Sequence, residues 1–147
     1  MVIMNLQNNP VEQPHGKLDE TIVATVRTRL PQARAIYRYG SAGGIYERPD
    51  SDLDVAILGT APLGFEEILA LSSALAMVAG RDVDVVDMRA IPVTLRLQIV
   101  VNGTRLFAQD ESEAAELESR TFSDYARLNE ERRAILEDVR AHGSIYG

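Results

Sequence analysis

The sequence predicts an α/β (α+β) domain, a small mixed sheet covered by helices with a long helix closing the chain. Three observations lead there. Short β-prone runs at 35–39, 52–58 and 81–87 alternate with segments of helical periodicity. The middle run alternates strictly, with Leu53, Val55 and Ile57 on one face and Asp52, Asp54 and Ala56 on the other. A chain of 147 residues with 46% hydrophobic content supports one compact core.

Residues 1–16 are polar and hold Pro10, Pro14 and Gly16, so they read as a flexible leader ahead of a core at 17–110. Leu18, Ile22, Val26 and Leu30 recur every fourth residue, giving a first helix that lays one apolar stripe on the sheet and stops at Pro31. The run with Ile36, Tyr37 and Tyr39 is a strand that breaks at Gly40, where the backbone turns without a Cβ penalty. Ser41 opens a turn or short helix.

After the strand at 52–58, a turn at 59–64 leads into a second helix. Phe65, Ile68, Leu69, Ser72, Leu75, Ala76 and Ala79 trace its inner face, and Gly80 closes it. In the strand at 81–87, Val83 and Val85 face one way and Asp84 the other. Pro92 starts an apolar segment that runs through Val101 and ends at Asn102-Gly103, and Leu106-Phe107 suits a short terminal strand. Asp110 with Glu113 resembles a capping box for a helix over 111–141, ended by Gly143, so that 111–147 is a helical extension of the same domain. Its apolar positions include Leu117, Phe122, Tyr125, Leu128, Ile135, Leu136 and Val139, interspersed with charge, and one face suits the domain or a partner.

A net charge of −7 and a pI near 4.8 disfavour a long nucleic-acid footprint, since phosphate backbones are gripped by basic surfaces. Arg27, Arg29, Arg34 and Arg38 read as scattered surface charge rather than a groove. Without cysteine there is no disulfide framework or thiolate site, and His15 and His142 lie near opposite ends of the sequence, which argues against structural zinc. No signal-peptide pattern or membrane-length apolar run is present, so a cytoplasmic protein is expected. Arg96 stands among Leu95, Leu97 and Ile99, where its head must snorkel to water or meet a carboxylate or phosphate.

The chemistry concentrates in Gly40-Ser41, ten intervening residues, then Asp52-Leu53-Asp54. A helix start after a glycine leaves backbone N–H groups free for a phosphate, with the Ser41 hydroxyl as a further partner, and Gly43 and Gly44 permit close approach. Asp-x-Asp alone is common in loops and caps. Here it opens a strand, so both carboxylates leave one face, where they repel until a divalent cation neutralises them. Hard oxygen ligands favour magnesium or manganese, and Asp84 from the third strand can complete a triad, with Asp82 and Asp87 as weaker candidates.

Gly40-Ser41, ten residues and Asp52-x-Asp54 together resemble the signature of the polymerase-β-like nucleotidyltransferase superfamily in its minimal single-domain form. From about Leu18 onward the chain is similar to MntA-type antitoxins, minimal nucleotidyltransferases that accompany a HEPN-domain toxin. The resemblance implies a polymerase-β-like fold, phosphate contacts from Gly40 and Ser41, and two Mg2+ ions (or Mn2+) on Asp52, Asp54 and Asp84. It further implies transfer of AMP from ATP to a hydroxyl, a tyrosine, of the partner toxin within a hetero-oligomer. Family members often carry a basic residue directly after the serine, whereas Ala42 stands here, and Arg48 in the following loop is the candidate substitute. Two alternatives stand beside that reading: an antitoxin that sequesters its toxin without catalysis, and a transferase acting on a small molecule.

Overall fold

The computed structural model describes residues 16–40 and 52–143. Along them run α1 (Gly16–Arg29), β1 (Ala35–Tyr39), β2 (Leu53–Leu58), α2 (Phe65–Ala79), β3 (Val83–Asp87), α3 (Val93–Asn102), β4 (Thr104–Ala108) and α4 (Glu111–His142). The strands form one sheet in the order β3-β2-β1-β4. β1 pairs antiparallel with both β2 and β4, while β2 and β3 run parallel because α2 carries the chain back between them. The sheet is therefore mixed, as the sequence predicts.

Alternation along the strands divides the core in two. Ile36, Leu53, Val55, Ile57, Val83 and Val85 point to one face, where Ile22 and Val26 of α1, Leu30 just after it, and Leu71 and Leu75 of α2 cover them. Tyr37, Ala56 and Leu58 point to the other, against Ile99 of α3, with Leu117 of α4 at the margin. Helices on both faces explain why β2 is buried almost throughout and reads as an apolar run after its first aspartate.

Capping residues fix the helix ends. Gly80 takes the left-handed conformation, φ 72°, at the C-terminus of α2, and its N–H reaches the Ala76 carbonyl. Pro92 precedes α3, and Gly103 ends it with backbone that leaves no room for a side chain: an added Cβ would lie 3.0 Å from the Arg38 carbonyl oxygen. Asp110 caps α4 by accepting the Ser112 N–H at 2.9 Å. Glu113 does not complete the expected capping box; its carboxylate instead takes the Arg34 Nε–H at 2.8 Å and ties the helix start to the strand entry.

On α2, Ile68, Leu75, Ala76 and Ala79 pack on the core as expected, whereas Phe65 and Leu69 are exposed, at 75% and 51%, and Leu71 is buried in their place. On α4, Phe122, Ile135 and Leu136 are exposed, and the residues buried are the small Ala114 and Thr121, where the helix passes close to its neighbours. Polar ties hold the first half of α4 on the sheet. The Tyr37 hydroxyl donates to Glu118 at 3.1 Å, and Arg105 bridges Glu118 and Glu111. Burial and the neighbouring Glu118 carboxylate raise the Tyr37 pKa well above its usual value, so that phenol stays protonated and keeps its donor.

These orientations fix the cost of truncation. Leu75→Ala removes a fully buried side chain and is expected to destabilise by about 3 kcal/mol, whereas Leu69→Ala should cost under about 0.5 kcal/mol, both read from urea unfolding.

Candidate functional site

The register places the acidic residues. In the parallel β2–β3 ladder, Asp54 lies directly beside Asp84, and in the antiparallel β1–β2 ladder Tyr39 lies directly beside Asp54. Because Leu53, Val55, Val83 and Val85 fill the opposite face, Asp54 and Asp84 are obliged to share the face covered by α3 and α4. They stand at the N-terminal ends of their strands, where the helices no longer cover the sheet. Asp84 is exposed and Asp54 half-buried.

Adjacent strands lie about 4.8 Å apart, and two carboxylates at that spacing repel by roughly 3 kcal/mol at an effective dielectric of about 20. The effect shows on Asp54. Partial burial first, then the Asp84 charge, then that of Asp52, raise its carboxyl above its ordinary value. The same two strand carboxylates act on the half-buried Tyr39 phenol, whose pKa is pushed up to about 12, with burial as the larger cause.

Gly40 closes the group. It has φ 78°, a left-handed conformation that favours glycine, and a Cβ there would overlap Oδ2 of Asp54. The turn therefore presses its backbone against the carboxylate. Of the residues singled out from sequence, Gly40, Asp52, Asp54 and Asp84 are gathered at this one end of the sheet, while Ser41 and Arg48 lie outside the described residues. Asp52 precedes β2 and is exposed.

The donor set is all carboxylate oxygen, which suits a hard divalent cation, and the charge crowding on Asp54 is what such a cation relieves. Among the described residues no three acidic or histidine side chains are already drawn together into a closed metal cage. Asp54 and Asp84 form a cross-strand pair, with Asp52 close enough to act on the Asp54 charge.

The weaker acidic candidates serve the scaffold. Asp87 is 3% exposed and accepts the Leu63 and Arg89 N–H groups, each at 2.9 Å. Asp82 is exposed, and its carbonyl receives the Leu53 N–H. Arg96 meets the Asp124 carboxylate at 3.3 Å, a tie between α3 and α4. Arg38 is not surface charge: it is 9% exposed and forms a bidentate pair with Asp19, at 2.7 and 3.0 Å. Arg34 pairs with Glu113, and Arg27 stacks on the Phe107 ring at 4.4 Å.

Residues 20–112 match the family described as polymerase beta, nucleotidyltransferase, and the chain belongs to that family. Among its relatives is the protein adenylyltransferase MntA of Shewanella oneidensis, 31% identical over 84% of this chain and 88% of its own. Two solved structures are similar along nearly their whole length. One is a toxin-antitoxin crystal structure with AMP-PNP, 32% identical, with a TM-score of 0.73 over 83% of this chain and 98% of that one. The other is a tri-AMPylated Shewanella oneidensis HEPN toxin in complex with an MNT antitoxin, whose matching chain is 29% identical, with a TM-score of 0.70 over 84% of this chain and 96% of that one.

Two consequences can be measured. Because Asp54 holds its proton more tightly folded than unfolded, its contribution to stability is fullest below the ordinary carboxylate range and drains away as pH rises through the elevated value. Asp54→Asn should therefore raise the melting temperature of the metal-free protein at pH 7, by no more than a few degrees since water screens a half-exposed group. Gly40→Ala should act in the opposite sense, lowering the melting temperature through both the left-handed φ and the overlap with Asp54.

Proposed function

We propose that this chain is the antitoxin of a toxin-antitoxin pair and transfers AMP from ATP to a hydroxyl, a tyrosine, of its cognate HEPN-domain toxin, silencing it. The observation that carries the reading is the cross-strand Asp54–Asp84 pair beside the Gly40 turn, in a chain 31% identical to a protein adenylyltransferase. The partner is inferred from the relative that is in complex with an AMPylated HEPN toxin.

In this reaction the acceptor oxygen attacks the α-phosphorus of ATP, the bond from that phosphorus to the α–β bridging oxygen breaks, and pyrophosphate leaves with the electron pair. The acceptor proton passes to solvent or to a carboxylate of the site, for which the exposed Asp84 is the candidate. Gly40 and Ser41 hold the phosphates through backbone N–H groups and the serine hydroxyl, aided by Arg48. Asp52, Asp54 and Asp84 would hold Mg2+ or Mn2+, two ions in all, which supply the Lewis acidity that activates the hydroxyl and steadies the leaving oxygen.

A protein acceptor is favoured over a small molecule by the relative solved with its AMPylated toxin. The cavity of about 390 Å³ lined by Leu58, Met88, Arg89, Arg96, Leu117 and Asp124, among others, lies at the C-terminal ends of β2 and β3, the opposite end of the sheet from Asp54 and Asp84. Among the described residues no helix is long and apolar enough to cross a membrane.

Purified toxin mixed with this protein, ATP and magnesium should gain the mass of one or more AMP units, and Asp52→Ala/Asp54→Ala protein should add none. A toxin that is inhibited yet unchanged in mass would overturn catalysis in favour of sequestration.

A further inference from the structure

We infer that the buried Asp19–Arg38 ion pair is a positioning device for nucleotide binding, aligning the end of β1 so that the Gly40 turn meets Asp54. The inference rests on the transferase reading above. Asp19 lies in the first turn of α1, 2% exposed, and shares the apolar stripe of Ile22 and Val26. Arg38 is the penultimate residue of β1, directly beside Val55, on the sheet face away from the acids. The guanidinium Nε and one terminal nitrogen each donate to a different oxygen of the Asp19 carboxylate, so distance and direction are fixed together.

Three contacts then clamp the same short stretch of chain. Asp19 holds Arg38 from the α1 side, the backbone at Gly103 crowds the Arg38 carbonyl, and the Asp54 carboxylate fills the space where Gly40 would carry a Cβ. Gly40 follows Arg38 by two residues, so a small change in the strand end is passed directly to the turn against Asp54.

The pair is not the only contact that seats α1. Ile22, Val26 and Leu30 already seat α1 on the sheet, and a buried ion pair is commonly matched or bettered in stability by apolar residues of similar size. What such residues lack is the fork-to-carboxylate geometry. The pair is therefore kept for its directional hold on the strand end.

The decisive variant is Asp19→Leu/Arg38→Met, which exchanges the ion pair for an apolar contact. It should keep a melting temperature at or above wild type while KM for ATP in toxin adenylylation rises about tenfold or more and kcat changes less. Arg38→Lys, which keeps the charge without the fork, should fall between the two proteins. Val26→Ala, a destabilising change in the same helix, should lower the melting temperature and leave KM unmoved. A folded double variant with wild-type KM overturns the inference, as does an equal KM rise in Val26→Ala. If the double variant does not fold, wild-type KM in Arg38→Lys overturns it. Failure of the wild-type protein to modify its toxin would instead overturn the transferase reading.

Discussion

The parallel register between β2 and β3 is the constraint on which the rest of the site depends. Leu53 beside Val83 and Asp54 beside Asp84 form one pattern repeated on two strands, so a single alignment buries the valines and leucines and brings the carboxylates together. A slip of one residue would turn the aspartates into the core and the aliphatics out. Burial of Leu53, Val55, Val83 and Val85 thus supplies the free energy that holds two like charges side by side. The repulsion felt by Asp54 is local strain that the core outweighs, and a cation held there would gain binding energy from relieving it.

Each face of the sheet has a distinct task. The face under α1 and α2 is apolar apart from the Asp19–Arg38 pair and Asp87 at the end of β3, and it fixes strand positions. The face under α3 and α4 is mixed: apolar at Ala56, Leu58 and Ile99, polar where Tyr37, Arg105 and Glu118 tie α4 down, and open at the acidic end. α3 stops at Gly103, beside Arg38 and Tyr39, so the helix that covers this face ends where the acids begin.

What was legible in the sequence follows from how strongly each element is patterned. β1, β2 and β3, Gly80, Pro92, Gly103 and Asp110 all carry local signals, and the elements fall where those signals put them. The face of α2 was legible at Ile68, Leu75, Ala76 and Ala79 but not at its edges, because Leu69, Leu71, Met77 and Val78 make that helix apolar on several sides, and periodicity cannot choose among them. On α4 the close contacts fall on Ala114 and Thr121, which a count of large apolar residues passes over. Arg38 could have been read. It alternates with Tyr37 and Tyr39 in a buried strand, and Asp19 lies three residues before Ile22 on an apolar helical stripe, two intrusions of opposite charge that satisfy each other. Of the site itself, Asp52-x-Asp54 carried the parity, but the contact of Gly40 with the Asp54 carboxylate required coordinates.

Separation of the acids from the cavity has a consequence for specificity. An enzyme that encloses its acceptor selects it by the shape and hydrogen bonding of the pocket, because a mismatched substrate leaves buried polar groups unpaired. Among the described residues, Asp84 is exposed at one end of the sheet, while a cavity of roughly 390 Å³ at the other end is lined by Leu58 and Met88 together with Arg89, Arg96, Arg120, Glu113, Glu116 and Asp124. A partner docked in one orientation converts a bimolecular encounter into a positioned one and adds its own discrimination to that of the site. The division of labour leaves this chain to hold nucleotide and charge in register, a task for which a stiff strand end beside Asp54 matters more than an enclosing wall.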